Sequence, residues 1–167
     1  HGKYVYPAGF MLVAARNPCP CGMYPDLNKC TCSYRQIRQY NAKISRPLLD
    51  RIDINVNVQK VAYEDLLETK KAETSAQIRK RVLAAQKIQR ERYRSESFHF
   101  NSQLDGRRTQ KYIKLGSAEE AMIRDVFEET DLSARGYNRV LKIARTIADL
   151  DGSPEIREIH LKEALFF

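Results

Sequence analysis

Residues 9–15, "GFMLVAA", form a short unbroken apolar run, the pattern of a buried and parallel strand. In "SRPLLDRIDINVNV" the rhythm changes: Ile52, Ile54, Val56 and Val58 alternate with Asp53, Asn55 and Asn57. That period of two predicts a second strand, half-buried or at a sheet edge. Between them, residues 33–42 suit a short polar helix carrying Arg35, Arg38 and Tyr40. From Tyr63 onward the rhythm becomes helical. Thr74 with Gln77 makes a capping-box start, and Ile78, Val82, Ala85 and Ile88 form one apolar stripe. The other faces carry Arg79, Lys80, Arg81, Lys87, Arg90, Arg92 and Arg94. Residues 95–114, polar and turn-rich around Asp105 and Gly106, read as a separator. Three helices follow. Ser117 with Glu120 caps the first, which turns Met122, Ile123, Val126 and Phe127 inward. Ser133 opens the second, with Tyr137, Val140, Leu141, Ala144, Ile147 and Ala148 on its inner side. Ser153 and Pro154 open the third, with Ile156, Ile159, Ala164 and Leu165 inside.

The pattern therefore describes an α/β fragment followed by an all-α bundle. Two strands are too few for a stable sheet. Together with a first residue that is His1 rather than Met, this reads as a piece of something longer. No repeat or low-complexity segment is present. With 43% hydrophobic residues the chain suits an ordinary soluble globular protein, and no apolar run approaches a membrane span. A net charge of +8 favours polyanionic partners such as nucleic acid or nucleotide phosphates, although a solvated basic surface has the same composition.

All the cysteines, Cys19, Cys21, Cys30 and Cys32, lie in "NPCPCGMYPDLNKCTC". No secretory signal opens the chain, so the expected compartment is a reducing one, where structural disulfides are rare. A tetrahedral four-thiolate zinc site suits two cysteine pairs joined by a loop whose turns come from Gly22, Pro25, Asp26 and Asn28. The one-residue spacing within each pair is shorter than the usual two to four. Free or redox-labile thiols and disulfides are the other readings. Zinc held by four thiolates has no open position, so such a site would be a structural clip.

"FMLVAARNPCPCG", "LLDRIDINV", "LSARGYNRVLKIARTIADL" and "HLKEAL" occur in an order that resembles the magnesium-chelatase-like bacterial AAA+ proteins of the YifB/ComM competence type. The resemblance covers nearly the whole chain. It implies that residues 1–60 are the last strands of an AAA+ core with a four-cysteine insertion at 17–33. It makes 61–114 a helical linker with a basic helix, and 115–167 the helical lid. It also implies a sensor-1 Asn at Asn17, an arginine finger at Arg51, and a sensor-2 arginine at Arg135, with Arg139 competing for that role. The parent is then a cytoplasmic, ring-forming ATPase, hexameric and helicase-like, that uses ATP and magnesium and acts on DNA.

Each assignment has a physical basis and a plainer rival. Asn17 at a strand end can orient a water toward a γ-phosphate, or it can simply form the turn before Pro18. Arg51 can spread positive charge over a neighbour's transferring phosphoryl oxygens, or pair with Asp50 or Asp53. Arg135 at a helix N-terminus can add to the helix dipole beside phosphates, or stay solvated. The chain has no G-x-x-x-x-G-K-[ST] phosphate loop and no apolar run ending in paired acids to hold magnesium. It is therefore expected to carry the sensing parts of an ATPase site without the nucleotide cradle, and to be inactive alone. Two further readings remain open: a chelatase-type subunit that remodels a partner during metal insertion, and a zinc-stabilised nucleic-acid-binding module without an ATPase.

Overall fold

In the computed structural model, residues 3–6, 9–58, 61, 63, 72–130 and 132–167 are described, position 46 by its backbone alone. The helical onset read at Tyr63 falls, for residues 64–71, outside the described residues. The chain divides into two compact units, His1–Leu49 and Asp50–Phe167.

In the first unit, residues 9–17 are irregular and give way to tight turns and then two helices, α1 (Tyr34–Asn41) and α2 (Arg46–Leu49). α1 starts where expected. The Ser33 amide donates to Gln36 Oε1 at 2.8 Å and the Gln36 amide donates to Ser33 Oγ at 3.3 Å, closing a capping box. Ile37 is its buried residue. Arg16 donates to Asn41 Oδ1 at 2.6 Å and lies over the Tyr40 ring, tying the end of the apolar run to the end of α1.

The two expected strands do not form: no strand occurs among the described residues. Met11 is 86% exposed and Phe10, Leu12 and Val13 lie open beside it, while Ile54, Val56 and Val58 are exposed in the second segment. A parallel strand needs ladder partners on both sides, and these segments have none among the described residues. The nearest substitute is a long bond from the Asn55 amide to the Phe167 carbonyl at 3.4 Å.

The second unit is a helical bundle of α3 (Ser75–Arg92), α4 (Gly106–Tyr112), α5 (Ser117–Glu129), α6 (Ala134–Leu150) and α7 (Glu158–Leu165), with a 3-10 turn at Asn101–Gln103. α6 is its centre. Val140, Leu141, Ile143, Ala144 and Ala148 face a core completed by Tyr93, Phe98, Leu104, Ile113, Ile123, Ile156, Leu161 and Ala164. The Thr74–Gln77 capping box forms as expected, and so does the Ser133 cap, whose Oγ accepts from the Gly136 amide at 3.1 Å.

Several expectations need correction. Residues 95–114 are not a separator. Phe98, Leu104 and Ile113 are buried, Asp105 caps α4, and the Tyr93 ring packs on Phe98 and Tyr112 at 4.9 and 5.0 Å. In α3 the buried positions are Ala85 and Gln89, followed by Tyr93 at its end, while Ile78, Val82 and Ile88 stay exposed. Only its last turns reach the bundle. Gly116, not Ser117, takes the cap position of α5, and no side-chain cap bond forms there. On that helix Ile123 is the buried residue, and Phe127 stays exposed with its ring against Tyr137. α7 begins later than Ser153–Pro154 predicts. Arg145 donates to the Ser153 carbonyl at 2.6 Å and to the Pro154 carbonyl at 2.9 Å, so those carbonyls are not free to accept helical bonds. The later start rotates the inner face to His160, Leu161 and Ala164, leaving Ile159 exposed.

The bundle closes around a buried polar knot. The Asp149 side chain is 0% exposed and accepts from Arg92 Nη1 at 2.9 Å, Arg145 Nε at 3.1 Å and Asn101 Nδ2 at 3.0 Å, with a further short bond from Arg92 Nη2. Asn101 Oδ1 in turn accepts from the Tyr93 hydroxyl at 2.7 Å. Burial pulls the Arg145 pKa down against the attraction of Asp149; for Arg92, burial is outweighed by that attraction and the pKa rises. Asp149→Ala leaves Arg145 buried beside an empty acceptor. It is expected to destabilise the bundle by about 3–5 kcal/mol in denaturant unfolding. A loss below about 1 kcal/mol would mean the knot is not holding the bundle.

Candidate functional site

The four cysteines converge. The Gly22 amide donates to the Cys19 carbonyl at 3.1 Å, and Gly22 has φ of +79°, a left-handed geometry that favours glycine. Asp26 Oδ1 accepts from the Asn28 amide at 3.1 Å, and the Cys30 amide donates to the Asp26 carbonyl at 2.8 Å. These turns fold the second pair back on the first, so the one-residue spacing is no obstacle. Cys19 Sγ lies 3.4 Å from Cys21 Sγ and 3.8 Å from Cys30 Sγ, and the latter two are 3.6 Å apart. All four sulfurs, Cys32 included, fall within 4.8 Å of one another. Sulfurs placed tetrahedrally about 2.3 Å from a zinc stand about 3.8 Å apart. The donor set and its spacing fit one such ion, and the thiols are not paired as disulfides.

The thiols ionise unevenly. Backbone amides of Met23 and Thr31 hold Cys21 down to about 5. Burial pushes Cys19 up, but the Tyr24 amide, donating to its sulfur at 3.4 Å, helps hold it below the ordinary thiol value. The Cys32 amide lowers Cys30, yet burial and the neighbouring sulfurs win and raise it. The Cys21 amide likewise lowers Cys32, and the same opposing effects push it up to about 12. Four adjacent thiolates repel one another, and a dication bound among them would let all of them lose their protons.

Of the other expected site residues, Asn17 leads directly into the cysteine loop, while Arg51, Arg135 and Arg139 lie farther along the chain. Asn17 is exposed at the end of the apolar run, its side chain 3.7 Å from where a Cβ on Gly22 would stand. Arg51 is exposed in the turn after α2. Arg135 is exposed in the first turn of α6 and, among the described residues, makes no hydrogen bond or ion pair. Arg139, one turn later, is half-buried and donates from Nη1 to the Ile52 carbonyl at 3.2 Å. A recess of about 560 Å³ lies beside that turn, lined by Arg107, Gln110, Arg124, Phe127, Tyr137 and Asn138 among others. The residue pattern does not reveal it, because α4 forms one wall and residues 95–114 read as a separator. The Asp105 cap with a helix-length segment behind it was the available signal. Nor does the pattern reveal the Asp149 knot, although Arg145 and Asp149 stand one turn apart on a helix otherwise turned inward.

Among the described residues no helix is long and apolar enough to cross a membrane. The family model described as "Magnesium chelatase, subunit ChlI" matches residues 1–66, and that of its C-terminal part, "subunit ChlI C-terminal", matches residues 72–167. Competence protein ComM of Haemophilus influenzae is 38% identical over 166 residues, covering 99% of this chain and 32% of ComM. The YifB protein of Salmonella typhimurium is 37% identical over 166 residues, again 99% of this chain and 32% of the relative. The Rv2897c protein of Mycobacterium tuberculosis is 35% identical over 160 residues, 95% of this chain and 31% of its own length. The chain thus spans about a third of the length of these relatives.

Proposed function

The chain belongs to the magnesium-chelatase-like AAA+ family of the YifB/ComM type, and from that premise we propose that it is the carboxyl-terminal, sensing portion of an ATP-driven, cytoplasmic ring motor that processes DNA. ATP and magnesium belong to the longer parent. Within it, residues 9–17 and 52–58 are the last core strands: they carry strand-like apolar patterns and expose them here. Neighbouring strands would cover Met11, Val13 and Val56 and supply the missing ladder. Residues 115–167 are the helical lid.

One hydrogen bond supports the sensing role most directly. Arg139 on α6 donates to the carbonyl of Ile52, the residue after Arg51. Movement of the lid helix is thereby linked to the turn that bears the finger. The same bond separates the two sensor candidates. Arg139 is engaged with backbone, whereas Arg135 is exposed at the helix N-terminus, where its charge adds to the helix dipole toward a phosphate. Arg135 is therefore the sensor-2 residue and Arg139 the link. Asn17 orients the attacking water, and Arg51 acts on the neighbouring subunit's nucleotide.

The four cysteines hold one structural zinc. Besides the sulfur geometry, the first unit buries only Cys19 and Ile37 among hydrophobic side chains of the described residues, too little to order its loops unaided. The competence name of one relative and the net charge of +8 favour DNA over the chelatase-type reading.

In the parent, Arg51→Ala is expected to leave nucleotide binding intact and lower turnover by roughly 10³-fold or more. Loss of folding with full specific activity would favour a structural ion pair instead. Arg135→Ala should weaken ATP binding, while Arg139→Ala should act through lid coupling and leave affinity nearly unchanged; equal small effects on both would remove the sensor assignment. Metal analysis of the reduced chain is expected to find one zinc per molecule, lost on chelation with loosening of residues 17–33 while the helical bundle stays folded. Zinc far below one equivalent, with four freely titrating thiols and an unchanged melting curve, would exclude the clip.

A further inference from the structure

Tyr34, Arg35, Arg38, Gln39 and Ala42 lie along one face of α1 and line a shallow recess of about 310 Å³. Tyr34 is 76% exposed, and both arginines are exposed one turn apart. α1, with sequence YRQIRQYN, has no carboxylate. In residues 9–49, Asp26 is the sole acid against Arg16, Lys29, Arg35, Arg38, Lys43 and Arg46, and it already pairs with Lys29 at 3.0 Å. Among the described residues neither Arg35 nor Arg38 has an ion pair.

The longer basic helix, α3, is different. Arg81 is paired with Glu73 at 2.7 Å, Arg94 just beyond its end with Glu91 at 2.9 Å, and Arg92 is held in the core by Asp149. Part of its positive charge is thus neutralised within the protein. Among the described residues Arg79, Lys80, Lys87 and Arg90 remain without an ion pair on α3, but that helix has no aromatic residue, whereas the unpaired arginines of α1 stand beside the exposed Tyr34 ring.

We propose that this face of α1 is a contact surface for single-stranded nucleic acid, with Arg35 and Arg38 on successive phosphates and the Tyr34 ring stacked on an unpaired base. Cations that track the backbone beside an aromatic platform are what such strands recognise, and stacking needs a base free of its duplex partner. The inference rests on the DNA-processing reading for the polyanion and gives that polyanion a place, on the cysteine-clipped unit rather than on α3. The Ser33–Gln36 capping box directly after Cys32 fixes the start of α1, so the cysteine loop sets where this face points.

The test uses the whole 167-residue chain under reducing conditions, labelled oligodeoxythymidylate, and a duplex of equal length, with anisotropy read from about 50 to 200 mM salt. The wild type is expected to bind the single strand more tightly than the duplex. Arg35→Gln with Arg38→Gln should reduce the slope of log affinity against log salt by about 1.4, since each phosphate contact on a single strand contributes about 0.7. Affinity at the lower salt should fall tenfold or more. Tyr34→Ala should weaken single-strand binding about fivefold or more, with Tyr34→Phe restoring it. Arg79→Gln with Lys80→Gln on α3 should change little. Metal content equal to wild type shows that the cysteine loop survives each substitution. If the double α1 variant keeps wild-type affinity and slope, the surface is wrong while the DNA-processing reading stands. Equal binding of duplex and no response to Tyr34→Ala overturns the single-strand assignment. If the wild type binds neither probe and DNA does not stimulate the parent's ATPase, the surface and the DNA reading both fail.

Discussion

A carboxylate out of reach of water must find its hydrogen bonds inside the protein, and Asp149 finds them on three separate segments. Arg92 comes from the end of α3, Asn101 from the 3-10 turn, and Arg145 from one turn earlier on α6 itself. An apolar core tolerates sliding between helices; a carboxylate with fixed donors does not, because losing one leaves a buried charge uncompensated. The same Arg145 captures the Ser153 and Pro154 carbonyls and so decides where α7 can begin. One charged group thereby fixes α3, the turn at 101–103, α6 and the entry to α7. Arg135 and Arg139 sit on the helix that this knot immobilises. The proposed sensor role needs a rigid lever behind the arginine, and the far end of α6 is held firmly enough to serve as one.

The cysteine unit solves the same problem with other means. It has almost no apolar interior, so it depends on turns, on the capping box of α1, on the Arg16–Asn41 bond and on its thiols. The four sulfurs stand close enough together to hold one cation, which is the role proposed for them. Asn17 leads into that loop, so the proposed clip at Cys19 to Cys32 would also set the exit from the proposed sensor strand.

Legibility followed the range of the interactions. Local devices were readable in part: the Thr74 and Ser133 caps occur where the sequence puts them, because a cap is decided within four residues, whereas Gly116 takes the place expected of Ser117. The inner face of α6 was also readable from its period. Long-range polar contacts were not. Nothing local says that Arg92 will leave the solvated row of α3 to meet Asp149, or that Arg145 will hold back the start of α7. Phe98, Leu104 and Ile113 were hidden in a polar-looking stretch because they are isolated rather than periodic. The strand patterns at 9–15 and 52–58 carry no information about partners, and without partners no ladder forms. The cysteine cluster was legible as a donor set together with its turn residues Gly22, Asp26 and Asn28; what needed the structure was how closely those turns bring the sulfurs at so short a spacing. The recess beside the first turn of α6 was hidden because one of its walls is α4, in a stretch that reads as polar and turn-rich.

The central proposal is that Arg51 acts across a subunit boundary while Arg135 acts within its own subunit. Mixed rings test it directly. Full-length parent subunits lacking the phosphate-loop lysine are combined with subunits carrying Arg51→Ala, each preparation being inactive alone, and ATP turnover is measured against mixing ratio. Turnover should reappear in the mixture, because an intact finger then meets an intact nucleotide cradle at some interfaces, whereas the same mixing with Arg135→Ala and Arg51→Ala on one subunit should recover less. A mixture as inactive as its components, in rings shown to exchange subunits, would contradict a finger supplied in trans.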